Sequence, residues 1–518
     1  MKKKINHYVT PVFWISMSII SIVVILGIVF PVKFQFVTKQ IKKFISIYLG
    51  WHYLILVTSI VFFCLFLIFS PVSKIRLGDP DSKPEHSKLS WIAMLFSAGM
   101  GIGLVFWGAA EPLSHYAVSA PDGQTGSQKA LKDAFQYTFF HWGIHAWAVY
   151  AVVALALAYF QFRKKEKTLI SVTLKPLFGH KTDGFWGKIL DSITVFATAI
   201  GVATTLGFGA IQINGGLKYL FGIPKNIYIQ IIIVAVTTIC FIMSALSGIG
   251  KGVKILSNIN VILAIGLMSI AIIVGPSAKI INTFVETLGG YLQNFLSMSF
   301  STGAFDAQQQ IWIQKWTIFY WAWWISWSPF VGVFIARISK GRTIREFLTN
   351  VLFIPTIFSF LWFSAFGTLS TNAQSNGAQL TMLSTEEVLF GSFHYYSFGM
   401  LLSIIAIILV FTFFITSADS ATFVLGMLSE NGSLNPHKKI KIIWGILIST
   451  FAVVLLMSGG LDALQNILII VALPFSIIIL LIMISLGIEL HHEKKEMGLY
   501  LKPDNYPSKE DPFKSYQD

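Results

Sequence analysis

The sequence is poor in cysteine and in charge. Only two of its 518 residues are cysteine, Cys64 and Cys240, and both lie inside apolar segments. We therefore expect neither a disulfide framework nor a cysteine metal site. The net charge is +14, but the basic residues lie in short runs between apolar segments, so a nucleic-acid partner is not indicated. No nucleophile beside a base and no set of metal ligands is visible, which argues against an enzyme.

The sequence is rich in apolar stretches. Hydrophobic residues make up 55% of the chain, charged residues 12%, and the mean hydropathy is +0.70, so we predict an all-α polytopic membrane protein. Charge-free stretches long enough to cross about 30 Å of hydrocarbon as a helix predict twelve transmembrane spans. These are residues 5–32, 44–73, 89–110, 134–162, 192–217, 226–250, 255–278, 316–336, 347–385, 388–418, 442–461 and 463–488. A further window, 287–305, is too polar to span and is predicted to be an amphipathic surface helix.

The distribution of Lys and Arg orients these spans. With the amino terminus inside, most of the 38 Lys and Arg fall in inner segments, as the positive-inside rule requires. Both termini are then cytoplasmic. The loop after the first span is an exception, because four lysines between residues 33 and 43 would lie outside.

Two spans carry helix-breaking residues in mid-span. Span 3 contains Gly99, Gly101 and Gly103, and span 8 contains the sequence SWSP at 326–329. We predict a local break in each. Broken helices five spans apart predict two inverted five-helix repeats, spans 3–7 and 8–12, preceded by two extra helices. The predicted segments are 1–88 (spans 1 and 2), 89–278 (first repeat), 279–315 (amphipathic connecting helix), 316–488 (second repeat) and 489–518 (short cytoplasmic tail).

Aromatic residues are concentrated in spans 4 and 8. Span 8 contains Trp316, Trp321, Trp323, Trp324 and Trp327. Span 4 adds Trp142, Trp147 and Tyr150 on one side of a helix. The alternative to a binding site is anchoring at the membrane surface, but these tryptophans continue toward the middle of their span. A cage of such rings can bind a quaternary ammonium, which has no N–H to donate, at about 0.5–2 kcal/mol per ring. A betaine also carries a carboxylate, to which amides of an unwound span 3 can donate.

Other polar residues in the spans allow more than one interpretation. Glu111, before Pro112, is interpreted as a structural or solvated group rather than a proton relay. His141 and His145 are one helical turn apart, but no acidic partner stands near them, so no transition-metal site is predicted. Thr416 and its polar neighbours lie at the predicted end of span 10 and can supply oxygen ligands to a hard cation; the alternative is a cap-like structural role.

Four segments resemble motifs of the betaine/choline/carnitine transporter family. They are FYWAWWISWSPFVGVFIARISKGRTIREF in span 8, GMGIGL at 99–104, HWGIHAWAVY at 141–150 and FITSADS at 414–420. They occur in the expected order and spacing, and the likeness covers roughly residues 8–490. The resemblance implies twelve helices with two inverted repeats, usually as a homotrimer, in the lipid bilayer of a bacterial plasma membrane.

The resemblance also implies roles for individual residues. The aromatic box would be Trp142, Trp147, Tyr150 and Trp324, with Trp323 and Trp327 lining the pathway and Gly99, Met100, Gly101 and Gly103 beside the substrate. One sodium site would use the carbonyls of Ser97, Met100 and Phe413 and the hydroxyls of Thr416 and Ser417. A second would use Thr198 and the region of Phe330.

Two positions bear on the ion and the substrate. Relatives with two sodium sites tend to have a hydroxyl four residues after the position of Thr198, where this chain has Val202, so the sodium stoichiometry stays open. Choline-specific, proton-coupled relatives tend to have Asp at the position of Gly103, whereas glycine suits a zwitterion that brings its own carboxylate.

We therefore expect a sodium-coupled symporter that imports glycine betaine as an osmoprotectant, with no cofactor and no metal other than sodium. A choline or carnitine carrier, either proton-coupled or an exchanger, is the alternative. A channel or osmosensor is disfavoured, because the sequence shows neither a ring of like charges nor repeated filter carbonyls.

Overall fold

The computed structural model describes residues 9–99, 101–247 and 252–498. Within these ranges the chain is helical apart from its connecting segments and an isolated bridge between Arg76 and Thr343. The helices are α1 Pro11–Val29, α2 Pro31–Tyr48, α3 Gly50–Phe69, α4 Lys88–Gly99, α5 Ile102–Leu113, α6 Gln128–Trp142, α7 Ile144–Ala158, α8 Lys175–Phe178, α9 Phe185–Phe221, α10 Ile227–Ser247, α11 Gly252–Val274, α12 Ser277–Ser299, α13 Ala307–Lys315, α14 Thr317–Ile338, α15 Ile344–Ser375, α16 Val388–His394, α17 Gly399–Ser429 and α18 Lys438–Glu496.

Long apolar helices dominate this fold. In the described ranges, 10 helical stretches are long and apolar enough to cross a membrane. This finding confirms the predicted all-α, multi-pass membrane class. α18 is not one continuous helix, because Gly459 and Gly460 have non-helical backbone angles (φ 155° and 57°). Two helices therefore meet at these glycines.

The break predicted in span 3 is present. α4 ends at Gly99, α5 begins at Ile102, and Gly101 between them has an extended backbone (φ −151°, ψ −158°). Closely spaced glycines weaken a helix because they lose the most conformational freedom on ordering. The interruption leaves backbone amides and carbonyls without helical partners in the interior of the protein.

A second break, which the sequence pattern does not reveal, interrupts span 4 at Gly143. α6 ends at Trp142 and α7 begins at Ile144. A Cβ atom at Gly143 would lie 2.5 Å from the Phe139 carbonyl oxygen and 3.0 Å from the Phe360 ring. Only glycine fits this close approach.

The break predicted in span 8 is wrong. α14 is continuous and contains Pro329. Pro329 lacks the N–H that would bond the Ile325 carbonyl, but the Ser328 hydroxyl donates to that carbonyl at 2.8 Å. The serine satisfies the acceptor that the proline leaves free, so the helix continues.

The helix predicted at 388–418 begins later in the structure. α16 is short, Phe398 has a left-handed backbone (φ 61°), and α17 begins only after it. Thr416 and Ser417 therefore lie inside a long helix rather than at its end.

Two helices, α2 and α12, cover the polar segments that lie between the predicted spans. α12 covers most of the predicted surface helix at 287–305. α2 contains the four lysines that the positive-inside rule leaves outside, so the segment after the first span is a helix rather than a loop.

α14 lies at the centre of the fold. Nearly all of its residues are buried, and it packs against α7, α9 and α18. α10 and α11 are far more exposed, as lipid-facing helices are. The aromatic segment is therefore surrounded by protein on all sides.

Candidate functional site

The aromatic residues of spans 4 and 8 meet in the interior. Trp142 lies edge-to-face on Trp324 with ring centroids 4.9 Å apart, and Tyr150 lies edge-to-face on Trp324 at 6.0 Å. Trp147 contacts Tyr150 edge-to-face at 5.6 Å. Each of these four side chains is at most 6% exposed. The structure thus brings together the four rings expected to form the aromatic box.

The remaining tryptophans of span 8 extend this cluster. Trp323 stacks on Trp324 at 5.2 Å with 9° between the ring planes, and it meets the edge of Trp142 at 6.0 Å. Trp327 lies edge-on to Phe330 at 5.5 Å. All five tryptophans of span 8 are buried in protein. They are therefore not anchors at the lipid surface.

Indole N–H groups hold these rings to neighbouring helices. Trp324 Nε1 donates to the His141 carbonyl at 2.9 Å, and Trp327 Nε1 donates to the Gly201 carbonyl at 3.1 Å. His141 lies two residues before the break at Gly143, where the helical ladder is interrupted. Rings fixed in this way lose little freedom when a ligand binds, which favours affinity.

The glycines of span 3 are pressed against the same rings. A Cβ atom at Gly99 would lie 2.1 Å from Trp147 Cη2. A Cβ atom at Gly103 would lie 2.5 Å from Trp323 Cη2 and 3.2 Å from Trp142 Cη2. Any larger residue would displace a ring, so the absence of side chains here brings the broken backbone beside the box.

Glu111 lies beside the aromatic box and is fully buried. Its Oε2 accepts hydrogen bonds from Trp142 Nε1 at 2.7 Å and from the Tyr320 hydroxyl. Its Oε1 lies 2.7 Å from His141 Nδ1 and 3.2 Å from His115 Nε2. The expectation that no acid stands near the span 4 histidines is therefore wrong. A contact between residues 30 apart in sequence depends on how α5 and α6 pack, which helical spacing does not show.

His145, the other histidine of the span 4 pair, turns away from Glu111. Its Nε2 lies 2.9 Å from the Ser299 hydroxyl, and its ring stacks on Trp321 at 5.4 Å. The two histidines one turn apart therefore do not converge on one site.

The Thr416 hydroxyl is occupied by protein partners. It lies 3.1 Å from the Thr412 carbonyl and 3.2 Å from the Phe413 carbonyl in its own helix, and it accepts from the Asn260 amide at 3.1 Å. Asn260 is fully buried, and its Oδ1 has no hydrogen-bond partner among the described residues. Three kinds of oxygen ligand, hydroxyl, carbonyl and amide, therefore lie in one place on α11 and α17.

Ser417 connects this region to the break in span 3. Its Oγ would lie 3.7 Å from a Cβ atom at Gly101, so the hydroxyl stands next to the unwound segment. Met100 lies outside the described residues, as does the Ser97 side chain.

Of the three side chains considered for a second sodium site, Thr198, Val202 and Phe330, Thr198 alone carries an oxygen. Thr198 donates to the Thr194 carbonyl of its own helix at 2.7 Å. Val202 is fully buried one turn later, and Phe330 is 3% exposed. The side chains named for the second sodium site therefore supply no oxygen ligand beyond the Thr198 hydroxyl.

Comparison with known proteins decides the family. Residues 11–495 match the betaine/carnitine/choline family transporter profile. The chain belongs to this family. Over 491 residues it is 56% identical to the glycine betaine transporter OpuD of Bacillus subtilis, covering 95% of this chain and 96% of that protein.

Two further relatives match this chain over a similar share of its length. An ectoine/hydroxyectoine transporter of Virgibacillus pantothenticus is 44% identical, over 92% of this chain and 95% of that protein. A probable glycine betaine transporter of Desulfitobacterium hafniense is 40% identical, over 92% of this chain and 96% of that protein. The family confirms the prediction of a membrane transporter rather than an enzyme.

Sequence reasoning missed three contributors to the transporter's interior. Phe363 of α15 contacts the Trp142 ring at 4.9 Å, Asn260 contacts Thr416, and Glu111 joins spans 3, 4 and 8. Only Glu111 gave a signal, because an acid in an apolar span is functional by default. Phe363 is one of 45 phenylalanines, so its residue type alone could not single it out.

Proposed function

We propose that this transporter imports glycine betaine together with sodium and thereby supplies an osmoprotectant. The observation that carries the proposal is the buried cluster of Trp142, Trp147, Tyr150 and Trp324 against the glycine break of span 3. The indole N–H of Trp142 donates to the Glu111 carboxylate, and the indole N–H of Trp324 donates to the His141 carbonyl. The negatively polarised faces of these rings suit a methylated cation once the rings separate.

Opening of the box is part of the proposal. Trp142 and Trp324 are in direct contact, so no gap separates the two rings. A cation bound to both rings lies within about 6 Å of each ring centroid. The rings must separate to admit a trimethylammonium group between them. We assign this movement to a hinge at Gly143, the break directly after Trp142.

The carboxylate of the substrate would be bound by the Tyr150 hydroxyl and by the backbone at the break of span 3. The Tyr150 hydroxyl is buried and has no hydrogen-bond partner among the described residues. The extended backbone at Gly101 offers an amide outside any helical ladder. Both lie on elements that contact the aromatic box.

Sodium would bind beside the same break. Thr416, Asn260 and the Phe413 carbonyl supply hard oxygen ligands, and Ser417 stands between them and Gly101. An ion there would stabilise the unwound backbone that the substrate also uses, which couples the two binding events. The membrane potential adds about 2.3 kcal/mol per 100 mV for each charge moved.

The architecture proposed with this function has twelve spans in two inverted repeats, both termini cytoplasmic, and a homotrimer. Support for twelve comes from α4 and α5, which together have the length of one span, and from the two helices within α18. The inverted repeats rest on the family resemblance, since the break expected in span 8 is absent.

Uptake into liposomes tests the proposal. The purified chain would be reconstituted with sodium outside and potassium inside, and radiolabelled glycine betaine would be added outside. We expect accumulation above equilibrium that disappears when external sodium is replaced by potassium. Accumulation driven by a proton gradient, or of choline in preference to betaine, would favour the alternative carrier, and uptake that never exceeds equilibrium would contradict symport.

A further inference from the structure

The two oxygens of Glu111 have different surroundings. Oε2 accepts from Trp142 Nε1 and the Tyr320 hydroxyl, so two donors fix its direction. Oε1 faces two imidazoles instead, with His141 Nδ1 at 2.7 Å and His115 Nε2 at 3.2 Å. Glu111, His115 and His141 are each 0% exposed.

These three atoms lie close enough together for small side-chain movements to bring them onto one metal ion. Glu111 Oε1, His115 Nε2 and His141 Nδ1 all lie within 4.8 Å of one another. Ligands about 2.0–2.2 Å from a tetrahedral zinc ion lie roughly 3.4 Å apart. Two imidazoles and one carboxylate are a common ligand set for zinc, with a fourth position left for water.

The residues behind these ligands also suit a metal. His141 Nε2 lies 3.0 Å from the Thr317 hydroxyl, which can fix the tautomer that leaves Nδ1 free for the ion. Trp142 and Tyr320 orient the carboxylate through its other oxygen. His115 Nδ1 is buried without a hydrogen-bond partner among the described residues, so among these contacts the polar partner of the His115 ring is Glu111 Oε1 at Nε2.

We propose that Glu111, His115 and His141 form a binding site for a divalent transition-metal ion such as Zn²⁺, and that the bound ion inhibits transport. The inhibitory part rests on the proposed function. Trp142 must move to open the box, and its indole N–H is bonded to the carboxylate that the ion would hold. An ion that binds the closed arrangement better than the open one shifts the protein toward the closed form.

Metal binding can be measured without substrate. The full chain, purified in detergent and stripped of metal, would be titrated with Co²⁺, whose visible absorption is strong in a tetrahedral site. We expect one absorbing site that Zn²⁺ displaces, and at least tenfold weaker binding in His115→Gln. His145→Gln is the matched control, because that histidine is equally buried but bonds Ser299; its Co²⁺ binding should be unchanged.

Two results of this titration would overturn the site. One is equal Co²⁺ binding in wild type and His115→Gln, which would place the ion elsewhere, for example at His491 and His492. The other is no tetrahedral Co²⁺ spectrum in the wild type. If His115→Gln does not fold, His115→Cys keeps a zinc ligand at the position; it should bind Zn²⁺, and failure of a folded His115→Cys to do so would count against the site.

Inhibition is measured separately, by betaine uptake with and without Zn²⁺. We expect Zn²⁺ to lower the uptake rate at least fivefold, a chelator to restore it, and His115→Gln to remain active in Zn²⁺. Uptake that Zn²⁺ leaves unchanged, in protein that binds Co²⁺, would overturn the inhibitory part alone. A failure of betaine transport itself would refute the proposed function and leave the Co²⁺ result standing.

Discussion

Replacing Trp324 by leucine removes the ring at the centre of the proposed box. Trp324 contacts Trp142 at 4.9 Å, Trp323 at 5.2 Å and Tyr150 at 6.0 Å, so it connects the rings of α6, α7 and α14. A cation–π contact in a desolvated site contributes about 2 kcal/mol. Since about 1.4 kcal/mol corresponds to a tenfold change in affinity, Trp324→Leu should raise the half-saturation constant for betaine at least tenfold.

The assay is radiolabelled betaine uptake in cells without other betaine carriers, corrected for the amount of transporter in the membrane. Trp321→Leu is the matched control, because it makes the same substitution in α14 but removes a ring that stacks on His145 outside the box. An unchanged half-saturation constant in Trp324→Leu, or an equal increase in both variants, would refute the assignment of Trp324.

Three other substitutions probe the backbone break and the ion site. Gly99→Ala should lower betaine affinity by roughly tenfold, because its Cβ would lie 2.1 Å from Trp147. Gly289→Ala, whose Cβ meets nothing within 4 Å, should behave as wild type; equal betaine uptake kinetics in the two variants would contradict this. Thr416→Ala should weaken apparent sodium affinity several-fold at saturating betaine, and an unaltered sodium curve would reject that ligand. Gly103→Asp should abolish betaine uptake because the carboxylate must displace Trp323, and retained betaine uptake would show that this ring is not fixed.

The sequence predicted best those parts of the site that depend on helical periodicity and local backbone. Trp147 and Tyr150 lie on one side of α7 by spacing alone, and Trp142 meets Trp324 beside them although Gly143 divides the span. The break between Gly99 and Ile102 follows from the low helix propensity of glycine. Both inferences use residues within one or two turns of each other, so they do not depend on how the helices pack.

Features set by packing could not be predicted. The continuity of α14 depends on the hydroxyl of Ser328 bonding the carbonyl that Pro329 leaves free, and a Ser-Pro pair alone does not show which way that serine turns. Glu111 reaches Tyr320 across 209 residues of sequence. The Phe360 ring of α15, 3.0 Å from where a Cβ atom at Gly143 would lie, is also a tertiary contact.

The central claim is that aromatic rings recognise a fully methylated nitrogen. Intrinsic tryptophan fluorescence of the purified transporter in sodium would measure binding of glycine betaine, dimethylglycine and sarcosine, which differ only in the number of N-methyl groups. Each N–H that replaces a methyl group increases hydration of the cation, and ring faces accept an N–H only weakly. We expect affinity to fall at each step, with sarcosine at least tenfold weaker than betaine; equal affinities for the three compounds would contradict the claim.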